Sequence, residues 1–178
     1  RLATHRATHN NITVEAIEVG QVYNEFASGR SEPTAIRDFA RMLYDRSDRF
    51  QYLLLFGDGS FDNRDLYGLG GNFLPTFQKE GFNPVETYPT DDYYAILYGD
   101  SSNDPLDGEL QIAVGRLPVK NTQEADEVVD KIIRYDTKRE AMGDWRNRLV
   151  FVGDDDDGPL DSDHSKDADE VAENVREA

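Results

Sequence analysis

The chain has 178 residues, 36 acidic against 19 basic side chains, a formal charge of −17 and no cysteine. The length fits one domain that can bury roughly 70% of its unfolded surface, and an apolar fraction of 38% with nine Phe and nine Tyr speaks against wholesale disorder. The charge leaves no basic stripe for phosphate contacts, so nucleic acid and anionic membranes are poor partners, and no apolar run approaches the ~20 residues of a membrane span.

The cysteine count excludes a disulfide framework, a thiolate metal site and a cysteine nucleophile within these residues. The basic residues divide into 14 Arg and 5 Lys, the acids into 23 Asp and 13 Glu. Such a surface is strongly hydrated and self-repelling at low salt. It fits either a high-salt source or an ordinary acidic extracellular domain. The sequence opens without Met or a signal peptide, on a helical pattern, RLATHRATHN. It reads as a piece of something longer.

In chain order, residues 12–19 (ITVEAIEV) predict a strand. Ser31 is a candidate N-cap with Pro33 in the first turn behind it. Ile36, Phe39, Ala40, Leu43 and Tyr44 then form one apolar stripe on a helix of about four turns. YLLLF at 52–56 is a continuous apolar run ended by Gly57-Asp58-Gly59. It predicts a central parallel strand buried on both faces. Residues 59–90, rich in Gly, Pro, Asn and aromatics, form a long excursion without a period. DDYYAILYGD and GELQIAVGR predict a β-hairpin or strand–loop–strand, with Tyr93, Tyr94, Ile96 and Leu97 alternating between faces. Asn121 or Thr122 caps a second helix whose stripe is Ala125, Val128, Val129, Ile132 and Ile133. LVFVG at 149–153 predicts another buried strand. A last amphipathic helix runs roughly 163–177, with Ala168, Val171, Ala172 and Val175 on its stripe. Alternating helix and strand patterns predict an α/β fold with a mostly parallel sheet flanked by helices and a β-hairpin excursion.

In open α/β sheets ligands gather at the carboxyl ends of strands. Two such ends are acidic: Asp58 after YLLLFG, and Asp154, Asp155, Asp156 and Asp157 after LVFVG. Carboxylates there can bind Mg²⁺ or Ca²⁺, orient a histidine, or act only as turn and loop residues. Asp100, Ser102 and Asp104 alternate like an oxygen-ligand loop, but Pro105 and Gln111 stand where an EF-hand needs Gly and Glu. A Ca²⁺ site of another kind stays open. His5 and His9 have a spacing that could bind Zn²⁺, yet they lack the catalytic Glu of a zincin and a third ligand nearby. His164 reads as a surface residue at a helix start. Gly68, Gly70 and Gly71 do not join a strand to a helix as a phosphate loop would. Arg116 and Pro118, between a strand and a helix, read as structural or interdomain, with Arg116 expected to pair with an acid.

Several segments in order, QVYNEFASGRSEPTAIRDFARMLYD, YLLLFGDGSFDNRD, YPTDDYYAILYGD, IAVGRLPVKNTQEADEVVDKIIRYDTK and WRNRLVFVGDDDD, resemble the gingipain-type cysteine peptidase domain. The resemblance covers nearly the whole chain. It is greatest to the branch that serves as C-terminal signal peptidase, or sortase, of the type IX secretion system. It implies a caspase-like fold of two α/β subdomains, of which residues 1–178 would be the first, without its leading strand. The catalytic His and Cys would lie in the second subdomain, which would be this chain's partner within one polypeptide. An acidic residue after the strand matching LVFVG would orient the catalytic His, a role that falls on Asp156 or, next to it, Asp155. The resemblance also implies structural Ca²⁺, protein substrates with C-terminal secretion domains, and a place on the cell surface, exterior to the outer membrane. The piece itself would be catalytically silent.

Two other readings stand beside it. One is a caspase-like binding or scaffold module without catalytic residues. The other is a metal-dependent phosphoesterase using Asp58 and the acids at 154–157. The basic residues near those strand ends to help a phosphate leaving group are only Arg64 and Lys166, which argues against it.

Overall fold

The computed structural model describes residues 1–81, 87–99, 104–153 and 164–177. It divides into two compact units, Arg1–Ile133 and Arg134–Ala178.

The first unit begins with helix α1 (Leu2–His9). Arg1 reaches from its start to Asp126 and Asp130, both on helix α4 (Thr122–Thr137). The run 12–19 is not a strand: residues 12–18 are irregular and Val19 opens helix α2 (Val19–Ala27). Ile12 and Ile17 are 41% and 47% exposed. Val and Ile favour strands only where a ladder satisfies their backbone groups, and residues 12–18 make none. α2 ends at Ser28, which adopts a left-handed conformation. Helix α3 (Pro33–Arg46) has Glu32, not Ser31, at its N-cap and Pro33 at its first position. Pro is tolerated there because its missing N–H would have no helical partner. The stripe of α3 faces inward, with Ala35, Ile36 and Ala40 buried.

β1 (Tyr52–Phe56) pairs in parallel with β4 (Ala113–Leu117), Tyr52 opposite Ala113 and Phe56 opposite Leu117. Leu55 joins a core with Val22, Tyr23, Ala35, Ile36, Leu74 and Tyr94. A second cluster, Ala40, Ala95, Leu97 and Ile112, packs with Leu53 and Val114. Burial on both faces is not found. Tyr52, Leu54 and Phe56 are 67%, 49% and 42% exposed, because alternate residues of a strand point to opposite faces and α2 and α3 occupy one of them.

The excursion contains an antiparallel pair, β2 (Phe77–Lys79) with β3 (Tyr88–Thr90). The hairpin expected from DDYYAILYGD and GELQIAVGR does not form, although 113–117 is the strand β4. Residues Asp92–Tyr94 make a 3-10 turn instead. Tyr93, Tyr94, Ile96 and Leu97 do not alternate; all are at most 5% exposed. The cause is local capping. Thr90 Oγ1 accepts the Asp92 N–H, the Asp91 carbonyl accepts that of Tyr94, and the Asp92 carbonyl those of Ala95 and Ile96. Gln111 Oε1 then takes the N–H groups of Leu97 and Tyr98, filling the place of a second strand.

Helix α4 starts with a box of reciprocal bonds. Asn121 Oδ1 accepts the Glu124 N–H, and Glu124 in turn accepts from Lys120 N and Asn121 Nδ2. Val129 is buried and Ala125, Val128, Ile132 and Ile133 are half-buried, so the stripe is placed as its spacing predicts.

In the second unit, two 3-10 turns, Arg139–Ala141 and Asp144–Asn147, precede the run 149–153. That run is not a strand. Leu149, Val150 and Val152 are 64%, 73% and 88% exposed, and no ladder joins them among the described residues. Helix α5 (His164–Glu177) follows, close to its predicted bounds. Its first residues approach Gly153 so closely that a Cβ there would lie 2.7 Å from the His164 carbonyl oxygen.

Candidate functional site

The carboxyl end of β1 is tied down by backbone hydrogen bonds on both sides. Gly57 N–H donates to the Leu117 carbonyl and Asp58 N–H to that of Val119, both at 3.0 Å. The parallel ladder thus runs past the last residue of β1. The Asp58 carbonyl accepts two N–H groups, from Phe73 and Leu74. A Cβ on Gly59 would sit 2.6 Å from Thr76 Cγ2 and 3.0 Å from the Leu74 carbonyl oxygen, so a side chain is excluded there.

Arg116 on β4 organises this end. Its Nε and Nη2 donate to the two carboxylate oxygens of Asp91, each at 2.7 Å. Nη1 donates to the carbonyls of Gly57 (3.0 Å) and Leu74 (2.9 Å), and Nη2 also to that of Pro75 (3.1 Å). The five guanidinium N–H groups therefore have five acceptors. The Arg116 and Asp91 side chains are 12% and 23% exposed. Burial works against the guanidinium charge, and the Asp91 carboxylate outweighs it, holding the Arg116 pKa above its ordinary value. Tyr94 Oη donates to the Pro75 carbonyl as well, and burial pushes its phenol pKa up strongly. Burial likewise raises that of Tyr23.

Arg116 thus pairs with an acid, as its setting in the sequence led us to expect. Asp58 faces Lys120 Nζ at 3.5 Å. The basic groups at this strand end are therefore Lys120 and Arg116, not Arg64 and Lys166. Sequence distance missed them because β4 and its continuation run alongside β1. With Asp58 and Asp91 each paired to a cation, this end has the chemistry of a brace rather than of a free carboxylate pair. Among the described residues there is no group of three or more His, Asp or Glu that could hold a metal ion.

The other candidates are scattered. Asp156 and Asp155, with Asp154 and Asp157, lie outside the described residues, as do Asp100 and Ser102. The strand expected at 149–153, ahead of the acids at 154–157, does not form: residues 149–153 make no ladder among the described residues. Residues 154–163 connect Gly153 to His164 in sequence, and these two line a shallow apolar depression with Phe151, Val152 and Val171. Asp104 accepts from Lys79 Nζ at 2.7 Å and from the Leu106 N–H at 3.0 Å. Lys79 and that N–H hold its carboxyl below the ordinary value. His5 and His9 stack with ring centroids 5.2 Å apart on α1, and His164 is the first residue of α5.

Sequence reasoning missed Asp62. It is 6% exposed, and its carboxylate accepts the N–H groups of Leu66 (2.9 Å) and Tyr67 (2.7 Å). The signal was the Ser60-x-Asp62 pair, whose hydroxyl accepts the Asp62 N–H in a side-chain turn. Asp65 Oδ1 accepts the Gly70 N–H, and Gly68, Gly70 and Gly71 have φ of +64°, +65° and +84°. These glycines shape a loop bonded to itself.

Comparison with known proteins bears on this geometry. Among curated proteins no match is found. Of solved structures, the chain is similar to dimeric latent PorU from Porphyromonas gingivalis, with 38% identity and a TM-score of 0.68 over 86% of this chain. It spans 16% of that PorU chain. The parallel β1–β4 pair with its covering helices agrees with the α/β, caspase- and gingipain-like fold that the resemblance implied. The model of peptidase family C25 matches residues 1–178, and the chain belongs to that family.

Proposed function

We propose that this chain is the first α/β subdomain of a cell-surface cysteine peptidase that removes C-terminal targeting domains from cargo of the type IX secretion system. The observation that carries the reading is the 38% identity to PorU over 86% of the chain, together with the family match from end to end. The chain has no cysteine, so the thiolate that attacks the peptide bond comes from elsewhere in the polypeptide, with the catalytic His. This subdomain supplies the acid that orients that His: Asp156, with Asp155 as the alternative. Such a carboxylate fixes the imidazole tautomer and stabilises its charged form. Structural Ca²⁺, if bound, falls to the acidic loops. The substrates are proteins carrying C-terminal secretion domains, and the enzyme works outside the outer membrane.

The test uses the complete polypeptide and a cargo protein fused to its targeting domain. We expect cleavage that a thiol alkylating agent stops, while the 178-residue piece alone leaves the fusion intact. Cleavage that survives alkylation, or a purified piece that cleaves, contradicts the proposal.

A further inference from the structure

Between Phe61 and Phe73 the chain turns five large apolar side chains to solvent. Phe61, Leu66, Tyr67, Leu69 and Phe73 are 68%, 77%, 73%, 68% and 53% exposed. Runs of this kind normally collapse inward, since each such side chain is worth ~2 kcal/mol when buried. Here the backbone is held so that they cannot. The Asp62 carboxylate takes the N–H groups of Leu66 and Tyr67, and Asp65 takes that of Gly70. Asn72 closes the base: its Oδ1 accepts the Ser60 N–H at 3.3 Å and its Nδ2 donates to the Asn63 carbonyl at 2.9 Å. The Asp58 carbonyl then fixes Phe73 and Leu74, next to the Arg116 brace. Polar groups are spent inside the loop and apolar ones are displayed outside. Phe61 and Tyr67 lie side by side, ring centroids 6.2 Å apart, so the display includes a continuous aromatic surface.

We infer that this pre-organised loop is a docking surface for a polypeptide segment with an apolar centre and flanking Lys or Arg. An exposed apolar patch on a rigid loop marks an interaction site. Charge chooses the partner. Within residues 57–81, Asp58 is paired with Lys120 and Lys79 with Asp104, which leaves Asp62, Asp65 and Glu80 against Arg64. The whole chain stands at −17. Such a field draws a cationic segment and repels both a second copy of the chain and an anionic lipid surface. Because the loop backbone is already ordered, binding loses little entropy in arranging it. The inference needs no catalytic residue and stands apart from the peptidase proposal.

The test is calorimetric titration of the complete polypeptide with three synthetic peptides sharing one Leu/Phe core. They are flanked by Lys/Arg, by Ser/Gln, or by Asp/Glu. We expect the basic peptide to bind about tenfold or more tightly than the acidic one. The substitutions Leu66→Ser, Tyr67→Ser and Leu69→Ser together should weaken it about tenfold with an unchanged urea midpoint. Leu69→Ser alone, at a residue 68% exposed, should weaken it about threefold and serves if the triple variant misfolds. Absence of binding, equal affinity for the acidic peptide, or indifference to both variants overturns the inference. So does self-association or binding to anionic phosphatidylglycerol vesicles that the variants abolish, since either assigns the loop to a different occupant.

Discussion

YLLLF at 52–56 and LVFVG at 149–153 are the same kind of sequence, short apolar runs that end in Gly and Asp, yet only the first is a strand. Around the first, β4 supplies a parallel ladder that continues through Gly57 and Asp58. Arg116 then takes up the carbonyls that the ladder leaves over. Around the second, no ladder is present among the described residues, and Val152 is 88% exposed. Apolar composition makes a strand possible. Satisfied backbone polar groups make it real. The β1 end is therefore a braced strand end, whereas Leu149, Val150 and Val152 stay exposed with no ladder among the described residues.

The sharpest way to break the comparison is to remove the brace. Arg116→Ala would leave Asp91 without its cation and take one donor from each of three carbonyls, of which only that of Pro75 keeps Tyr94, and should cost about 3 kcal/mol in urea denaturation. Val152→Ala, in the other run, should cost less than about 0.5 kcal/mol. Equal losses at the two sites would refute the contrast. Gly59→Ala should come next, at about 2 kcal/mol, because its Cβ collides with Thr76 and the Leu74 carbonyl. A second substitution, Thr76→Ser, removes the colliding methyl and should recover part of that loss. Tyr94→Phe should cost about 1 kcal/mol, leaving the Pro75 carbonyl with Arg116 alone.

The smallest effect is a pH dependence. The Asp104 carboxyl lies below its ordinary value because Lys79 and the Leu106 N–H favour the charged form. Its contribution is complete above the unfolded value near ~4 and is lost as pH falls through the lowered folded value. Urea midpoints of the native chain and of Asp104→Asn should differ at pH 6 and converge as pH falls through the lowered folded value. The pair is exposed, so salt should shrink the difference. A gap that widens in acid would reverse the assigned sign.

Much of this fold was legible where one period governs a segment. The stripe Ile36, Phe39, Ala40 and the capping run at Asn121 gave α3 and α4 because helices are locally encoded. Residues 12–18, 92–98 and 149–153 were misread for one shared reason. β-rich composition says nothing about whether a neighbour completes the ladder, and at 92–98 the caps from Thr90, Asp91 and Asp92 favoured a turn. The pairing of Arg116 was expected, but its partner, Asp91, was not. A carboxylate 25 positions away is brought near only by the crossover between β1 and β4. Asp62 was missed because a buried acid serving a loop's own backbone looks like any turn residue in sequence.

As proposed above, residues 1–178 would contribute the acid that orients a histidine supplied elsewhere in the polypeptide. Steady-state kinetics of the complete polypeptide carrying Asp156→Asn, with Asp155→Asn beside it, test it most directly. Asp156→Asn should lower kcat by orders of magnitude, toward the roughly 10⁴ seen for the comparable change in a serine triad, with KM little altered. Loss in Asp155→Asn alone would move the role by one residue. Full kcat in both variants would contradict the claim.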